Sequence, residues 1–185
     1  MVLSSPSKLI GVRDPNGFRP LCIGKIGESY VLSSESCAFE SLGAQFIRDV
    51  LPGEVVVIDE DGLHSYKENC TGKSSVCMFE YVYIARPDSV IDGVSVHNAR
   101  KRAGAFLAEE YPVEADLVCG VPDSGVSAAL GYAERSGIPY GMALIKNKYI
   151  GRTFAGHRNA FKEQLVKIKI NVLKACLLYT SPSPR

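Results

Sequence analysis

Hydrophobic and polar positions follow one rhythm through the first seventy residues and another after a polar stretch at 67–75. In the first part, 8–13 is a short apolar strand closed by the turn signal Asp14-Pro15-Asn16-Gly17. Residues 21–24 and 30–33 alternate as paired strands across a turn at 25–29. Over 34–50 the spacing becomes helical, with Phe39, Leu42, Phe46, Ile47 and Val50 on one face, and Leu51-Pro52-Gly53 stops it. A Val/Ile-rich strand at 54–59 turns through Glu60-Asp61-Gly62 into a return strand at 63–66. This part reads as α+β.

The polar stretch 67–75 is the natural candidate for a linker. Beyond it, strands and helices alternate. An apolar strand-like run covers 78–85 and a helix 94–110. The continuous apolar run 115–121 has the character of a strand buried in a parallel sheet. A helix at 124–136 closes at Gly137, and a further strand covers 140–145. Strand, helix and strand at these lengths make a βαβ unit, so the second part reads as α/β.

Two junctions carry candidate chemistry. At Gly120-Val121-Pro122-Asp123-Ser124-Gly125 a strand ends, the chain turns tightly, and Ser124 stands where the next helix needs a cap. Helix N-termini carry unpaired N–H groups and partial positive charge, which suit phosphate. Asp123 and the Ser124 hydroxyl would then serve a hard cation such as Mg²⁺; the plainer alternative is that Asp-Ser simply caps a helix. The second junction, KNKYIGRTF at 146–154, gathers Lys146, Lys148 and Arg152 with Asn147, Thr153 and Tyr149. Such a loop would close over a polyphosphate, or else be an ordinary solvated loop. Arg86 and Asp88 pair at a strand end in the simplest reading, and His97 is a surface or satisfied histidine. His64 and His157 have no companions at zinc-ligand spacing.

Composition narrows the field further. With 21 Lys+Arg against 20 Asp+Glu among 185 residues, the net charge is +1, so no basic excess exists to hold a nucleic acid. No apolar stretch approaches the roughly 18 residues of a membrane span, and Ser4, Ser5, Ser7 and Lys8 interrupt what a secretory signal would keep apolar. The six cysteines show no Cys-x-x-Cys pair and no short metal cassette; without a signal peptide the expected compartment is reducing and cytoplasmic, so they read as small buried hydrophobes and not as a disulfide framework.

Several long motifs, in order along the chain, resemble one family. RDPNGFRPL at 13–21 and SSESCAFE at 33–40 are similar to the later part of the glutaminase domain of the glutamine phosphoribosylpyrophosphate (PRPP) amidotransferases. FEYVYIARPDS at 79–89 resembles that family's entry into its phosphoribosyltransferase domain. GVPDS at 120–124 and KNKYIGRTF resemble its pyrophosphate loop and flexible substrate loop.

The resemblance implies an α+β remnant of an N-terminal-nucleophile glutaminase domain at 1–70, followed by the first part of an α/β type I phosphoribosyltransferase domain at 71–175. It implies that glutamine-derived ammonia displaces pyrophosphate from Mg²⁺-bound PRPP to give 5-phosphoribosylamine, the first step of de novo purine synthesis. By family position Ser124 belongs to the Mg²⁺ and pyrophosphate site beside Asp123, while Lys146, Tyr149 and Arg152 touch PRPP. Cys77 matches the first ligand of a [4Fe–4S] cluster carried by one class of the family. Purine nucleotides as regulators, a homo-oligomeric parent and a cytoplasmic location are further implications.

The chain also departs from the family. The N-terminal cysteine nucleophile has no counterpart, because Met1-Val2-Leu3 aligns inside the glutaminase domain. The Asp-Asp-containing PRPP loop expected after Asn171-Val172-Leu173-Lys174 has none either, and 176–185 reads as foreign or artefactual. Glu40 replaces a usual aspartate, and AGHRNAFK at 155–162 lacks the Pro-x-Gln pattern. These departures lead to the expectation that the 185 residues alone are inactive. A remnant that only binds nucleotide or polyphosphate, or a truncation without function, is the competing reading.

Overall fold

The computed structural model describes residues 1–149, 167–174 and Cys176. They divide into two compact units, Met1–Ala99 and Arg100–Arg185.

The first unit contains two antiparallel sheets. One runs β1 (Val2–Ser4), β2 (Leu9–Val12), β6 (Val55–Asp59) and β7 (Gly62–Tyr66), in that spatial order; the other places β3 (Cys22–Ile26) between β4 (Ser29–Ser33) and β5 (Gln45–Asp49). The hairpins expected at 21–33 and 54–66 are both present, in the registers Ile23 opposite Leu32 and Val57 opposite His64. Leu21 and Ile23 share one buried cluster with Val50 and Val56, with Tyr30, Leu32 and Leu63 packed around it. This is where the two sheets meet. Gly11 of β2 keeps the approach open, since a Cβ there would press on Leu32 and Val56 at 2.8 Å.

The helix expected over 34–50 is much shorter. Helix α1 covers only Cys37–Leu42, and Gly43 ends it in the left-handed conformation at φ 67°. Phe46 and Ile47 then belong to β5, paired with β3, rather than to a helix face. The stretch 78–85 is likewise not a strand. It contains a single π-helical turn, Glu80–Ile84, with Met78, Phe79 and Tyr83 exposed and Glu80 buried.

The short strands β8 (Val90–Ile91) and β9 (Val94–Ser95) form a hairpin whose tip is Asp92-Gly93. Both tip residues have positive φ, 47° and 78°, the conformation that a two-residue turn of this kind requires. Ala85, Ile91 and Val96 bury a second cluster against Val76 and Tyr81. Residues 67–77 return to the first unit, with the Ser75 amide donating to the Asn16 carbonyl at 2.6 Å and that of Cys77 to Phe18 at 3.0 Å.

In the second unit, the later turns of α2 (Val96–Glu110) pack on α3 (Val126–Ser136). The contact is reciprocal: a Cβ at Gly104 would overlap the carbonyl of Ala128, and one at Gly131 would overlap that of Lys101. Ion pairs Lys101–Glu134 at 2.7 Å and Arg135–Glu109 at 2.6 Å flank the contact, and Tyr132 donates to the Tyr111 carbonyl. Residues 115–121 do not form the buried strand expected. They contribute one parallel bridge, Val118 to Tyr140, and most are exposed or half-buried. A ladder needs neighbours on both sides to bury such a strand, and the described residues supply one. The strand expected at 140–145 appears as β10 (Leu144–Lys146), antiparallel to β11 (Ile170–Val172).

Candidate functional site

The junction at 120–125 is built by close backbone approach. A Cβ at Gly120 would lie 2.6 Å from Cα of Val126, so glycine lets the chain fold back against the start of α3. The turn is held by the Gly125 amide on the Val121 carbonyl at 3.2 Å and the Val126 amide on the Asp123 carbonyl at 3.4 Å. The Pro122–Asp123 peptide is cis. Ser124 does not cap α3 as expected: Gly125 occupies the N-cap position, and no side chain bonds there. The helical ladder begins only with the Ala129 amide on Gly125. A helix start carries partial positive charge, and at α3 the Gly125 and Val126 amides are taken up by the carbonyls of the turn itself.

Two of the expected site residues come together. Lys146, the last residue of β10, forms an ion pair with Asp123 from the 120–125 turn. The Asp123 side chain is 70% exposed and that of Lys146 29%, so the pair stands at the surface. Beyond it, the Tyr149 amide donates to the Asn147 side chain at 3.0 Å in an Asx turn. Tyr149 itself is 97% exposed. Ser124, half-buried, adjoins Asp123. Arg152 and the 155–162 segment lie outside the described residues.

The donor set can be compared with the metals expected. Asp123 and Ser124 offer hard oxygen atoms next to a lysine and a helix start, which fits Mg²⁺ carried in with a phosphate ligand, because that ion keeps most of its waters and takes few protein ligands. A [4Fe–4S] cluster needs four thiolates. Cys77 is half-buried with a free thiol, and among the described residues no three His, Cys, Asp or Glu side chains gather as a metal site. The described residues therefore do not make up a cluster site.

Polar networks in the first unit escaped the sequence reading. Arg13, at 3% exposure, donates to the carbonyls of Gly17, Arg19 and Val50 and forms a two-pronged pair with Asp92. Glu35 accepts the Arg86 amide at 2.7 Å and the Ser89 hydroxyl at 2.8 Å, and Ser36 accepts the Val90 amide. Arg19 pairs with Glu80 at 2.5 Å. Thus RDPNGFRPL and SSESCAFE act as a polar seat for residues 80–92. The one available signal was the charged residues inside otherwise apolar or turn motifs. Arg86 and Asp88 do pair as expected, at 2.7 Å.

Glu54 is fully buried, and two Arg48 nitrogens, the Ser65 hydroxyl and the Leu51 amide all donate to its carboxylate. Burial alone would raise its pKa, but these hydrogen bonds outweigh burial and hold it down at about 2. The Cys22 thiol moves the other way, pushed up to about 12 chiefly by burial and then by the charge of Asp49. It is a core thiol donating to the Ser33 carbonyl at 3.2 Å, not a nucleophile.

Comparison with known proteins places these features in context. No family model matches the chain. The amidophosphoribosyltransferase of Archaeoglobus fulgidus is 51% identical over 94% of this chain, and that of Bacillus subtilis is 49% identical over 94%. The chain spans 38% and 36% of those two relatives. A solved structure described as the allosteric regulatory enzyme of purine biosynthesis superposes with a TM-score of 0.82 at 48% identity, over 94% of this chain and 37% of the other. The B. subtilis glutamine PRPP amidotransferase complexed with ADP and GMP gives the same TM-score and identity, over 94% and 38%. In sequence and in backbone, this chain corresponds over nearly all its length to a segment, a little over a third, of the amidophosphoribosyltransferases.

Proposed function

We propose that this chain is part of an amidophosphoribosyltransferase, with residues 1–70 from its glutaminase part and 71–175 from its phosphoribosyltransferase part. The whole protein would hydrolyse glutamine to glutamate and ammonia. The ammonia nitrogen would then bond to C1 of PRPP as the C1–O bond to pyrophosphate breaks, with a proton lost from nitrogen. The observation that carries this reading for the chain's own residues is the convergence of Asp123 and Lys146 beside the start of α3.

In this reading the amides of α3 and the Lys146 ammonium face the negative charge that grows on departing pyrophosphate. Asp123 and Ser124 would hold Mg²⁺, which supplies further charge neutralisation to that leaving group. Tyr149 is presented to solvent where a bound sugar phosphate would meet it, and Arg152 would add a bidentate phosphate contact. Cys77 would give one thiolate to a [4Fe–4S] cluster whose other ligands lie outside the described residues.

A relative bound ADP and GMP, and purine nucleotides are the regulators we assign to this protein as well, in a cytoplasmic homo-oligomer. Among the described residues no helix is long and apolar enough to cross a membrane. We expect the 185 residues alone to turn over neither glutamine nor PRPP.

The test is calorimetry of the 185-residue chain with PRPP and Mg²⁺, alongside assays for glutamate and pyrophosphate. Saturable PRPP binding lost in Lys146→Gln, without turnover, is the expected result. Absence of binding overturns the site assignment, and turnover overturns the expected inactivity.

A further inference from the structure

Lys146 and Asp123 neutralise each other across two separate segments of the second unit, beside the start of α3, where a phosphate-binding cation and a hard anionic oxygen donor stand together. A diphosphate arriving without a metal meets a lysine already engaged and an aspartate that repels it. A diphosphate arriving as its Mg²⁺ chelate meets a different situation. Asp123 would turn to the metal or one of its waters, and the released Lys146 ammonium would turn to a phosphate oxygen. Each partner of the broken pair then has a new partner of opposite charge.

We propose that the Lys146–Asp123 pair is an autoinhibitory contact that makes the site select metal-bound over metal-free diphosphate groups; this rests on the phosphate-site reading above. Only the exposed pair must be broken, and pairs of this kind are weak. The selectivity it adds is therefore modest, about two- to fivefold. Asp123, being mostly exposed and at a turn, can be changed without disturbing a packed core.

The probe is inorganic pyrophosphate titrated into the full 185-residue chain, with Mg²⁺ and with a chelator, for wild type, Asp123→Asn, Asp123→Ser and Lys146→Arg. Wild type is expected to bind the Mg²⁺ form more tightly. Both neutral variants at Asp123 should bind metal-free pyrophosphate about two- to fivefold more tightly than wild type, narrowing the preference for the Mg²⁺ form. Lys146→Arg, which keeps the pair, should keep the wild-type preference. If wild type binds Mg²⁺-pyrophosphate but neither Asp123 variant gains metal-free affinity, the autoinhibitory contact is wrong and the phosphate site stands. If wild type binds pyrophosphate in neither condition, the phosphate site and the contact fall together.

Discussion

The Arg13 guanidinium grips the Asp92 carboxylate with both terminal nitrogens at 2.8 Å, joining residues 79 positions apart. The arginine is buried and the aspartate sits at the tip of a two-residue hairpin, so the bond holds that hairpin to the turn at 14–17. Removing one partner of such a pair strands a charge in the interior, which costs about 3–5 kcal/mol. Asn tolerates positive φ nearly as well as Asp, so Asp92→Asn removes charge while keeping the turn. The variant should lose about 3 kcal/mol in urea unfolding, and a change below about 0.5 kcal/mol would show that the pair carries no weight.

Glu54 predicts an acid limb in stability. Its carboxyl is held at about 2 in the folded protein against 4.5 ordinarily, so the folded state binds its proton less readily than the unfolded. The stabilisation is complete above pH 4.5, and it falls away as pH drops from there to about 2. The shift corresponds to about 3 kcal/mol at neutral pH. Asp49 works against this limb, since burial and then the charge of Asp92 raise its carboxyl and favour the folded state on acidification. Unfolding free energies measured from pH 7 to pH 2 should therefore fall less steeply in Glu54→Gln than in wild type. Parallel curves would refute the assignment.

The contact between α2 and α3 makes a prediction opposite to helix propensity. Alanine is the better helix former by about 1 kcal/mol, yet Gly131→Ala and Gly104→Ala each drive a methyl group into a neighbouring carbonyl. Overpacking of this kind costs about 1–3 kcal/mol, so both variants should melt at lower temperature by circular dichroism. A higher melting temperature in either would mean that the helices do not approach as described.

Tyr149 separates a binding role from a structural one. With the residue 97% exposed, Tyr149→Ala should change stability by less than about 0.5 kcal/mol. PRPP binding in the presence of Mg²⁺ should weaken by about two- to tenfold, the worth of one lost hydrogen bond. Unchanged affinity would remove Tyr149 from the site.

Local pattern was a good guide where one face of a strand met a core. The hairpins around Gly27 and Gly62 followed directly, because alternation and turn residues agreed. It failed over 34–50, where Phe39, Leu42 and Phe46 suit a helix by spacing but Gly43 supplies the left-handed stop. Pairing with β3 then decides the rest. It failed again over 78–85, where an unbroken apolar run has no period to distinguish strand from helix. At the candidate site, residue types alone marked 120–125 and 146–149 as candidates for phosphate binding. The direct pairing of Asp123 with Lys146 was not legible, because it depends on how two loops 23 residues apart meet. The seat formed by Arg13, Arg19 and Glu35 was equally hidden, since nothing in a linear reading shows which distant groups will satisfy them.

The return of residues 67–77 to the first unit has a practical meaning for cutting the chain. A protease nick in the polar stretch at 67–75 would leave 76–96 attached without a covalent link, held by Arg13 on Asp92, Arg19 on Glu80 and Glu35 on Arg86 and Ser89. The two pieces would co-migrate under native conditions and part only in denaturant. A polypeptide stopped at Ser75 would instead deprive Arg13 of its hydrogen-bonded carboxylate, leaving only the more distant charges of Asp49 and Asp14, whereas one extended to Ala99 would keep Asp92.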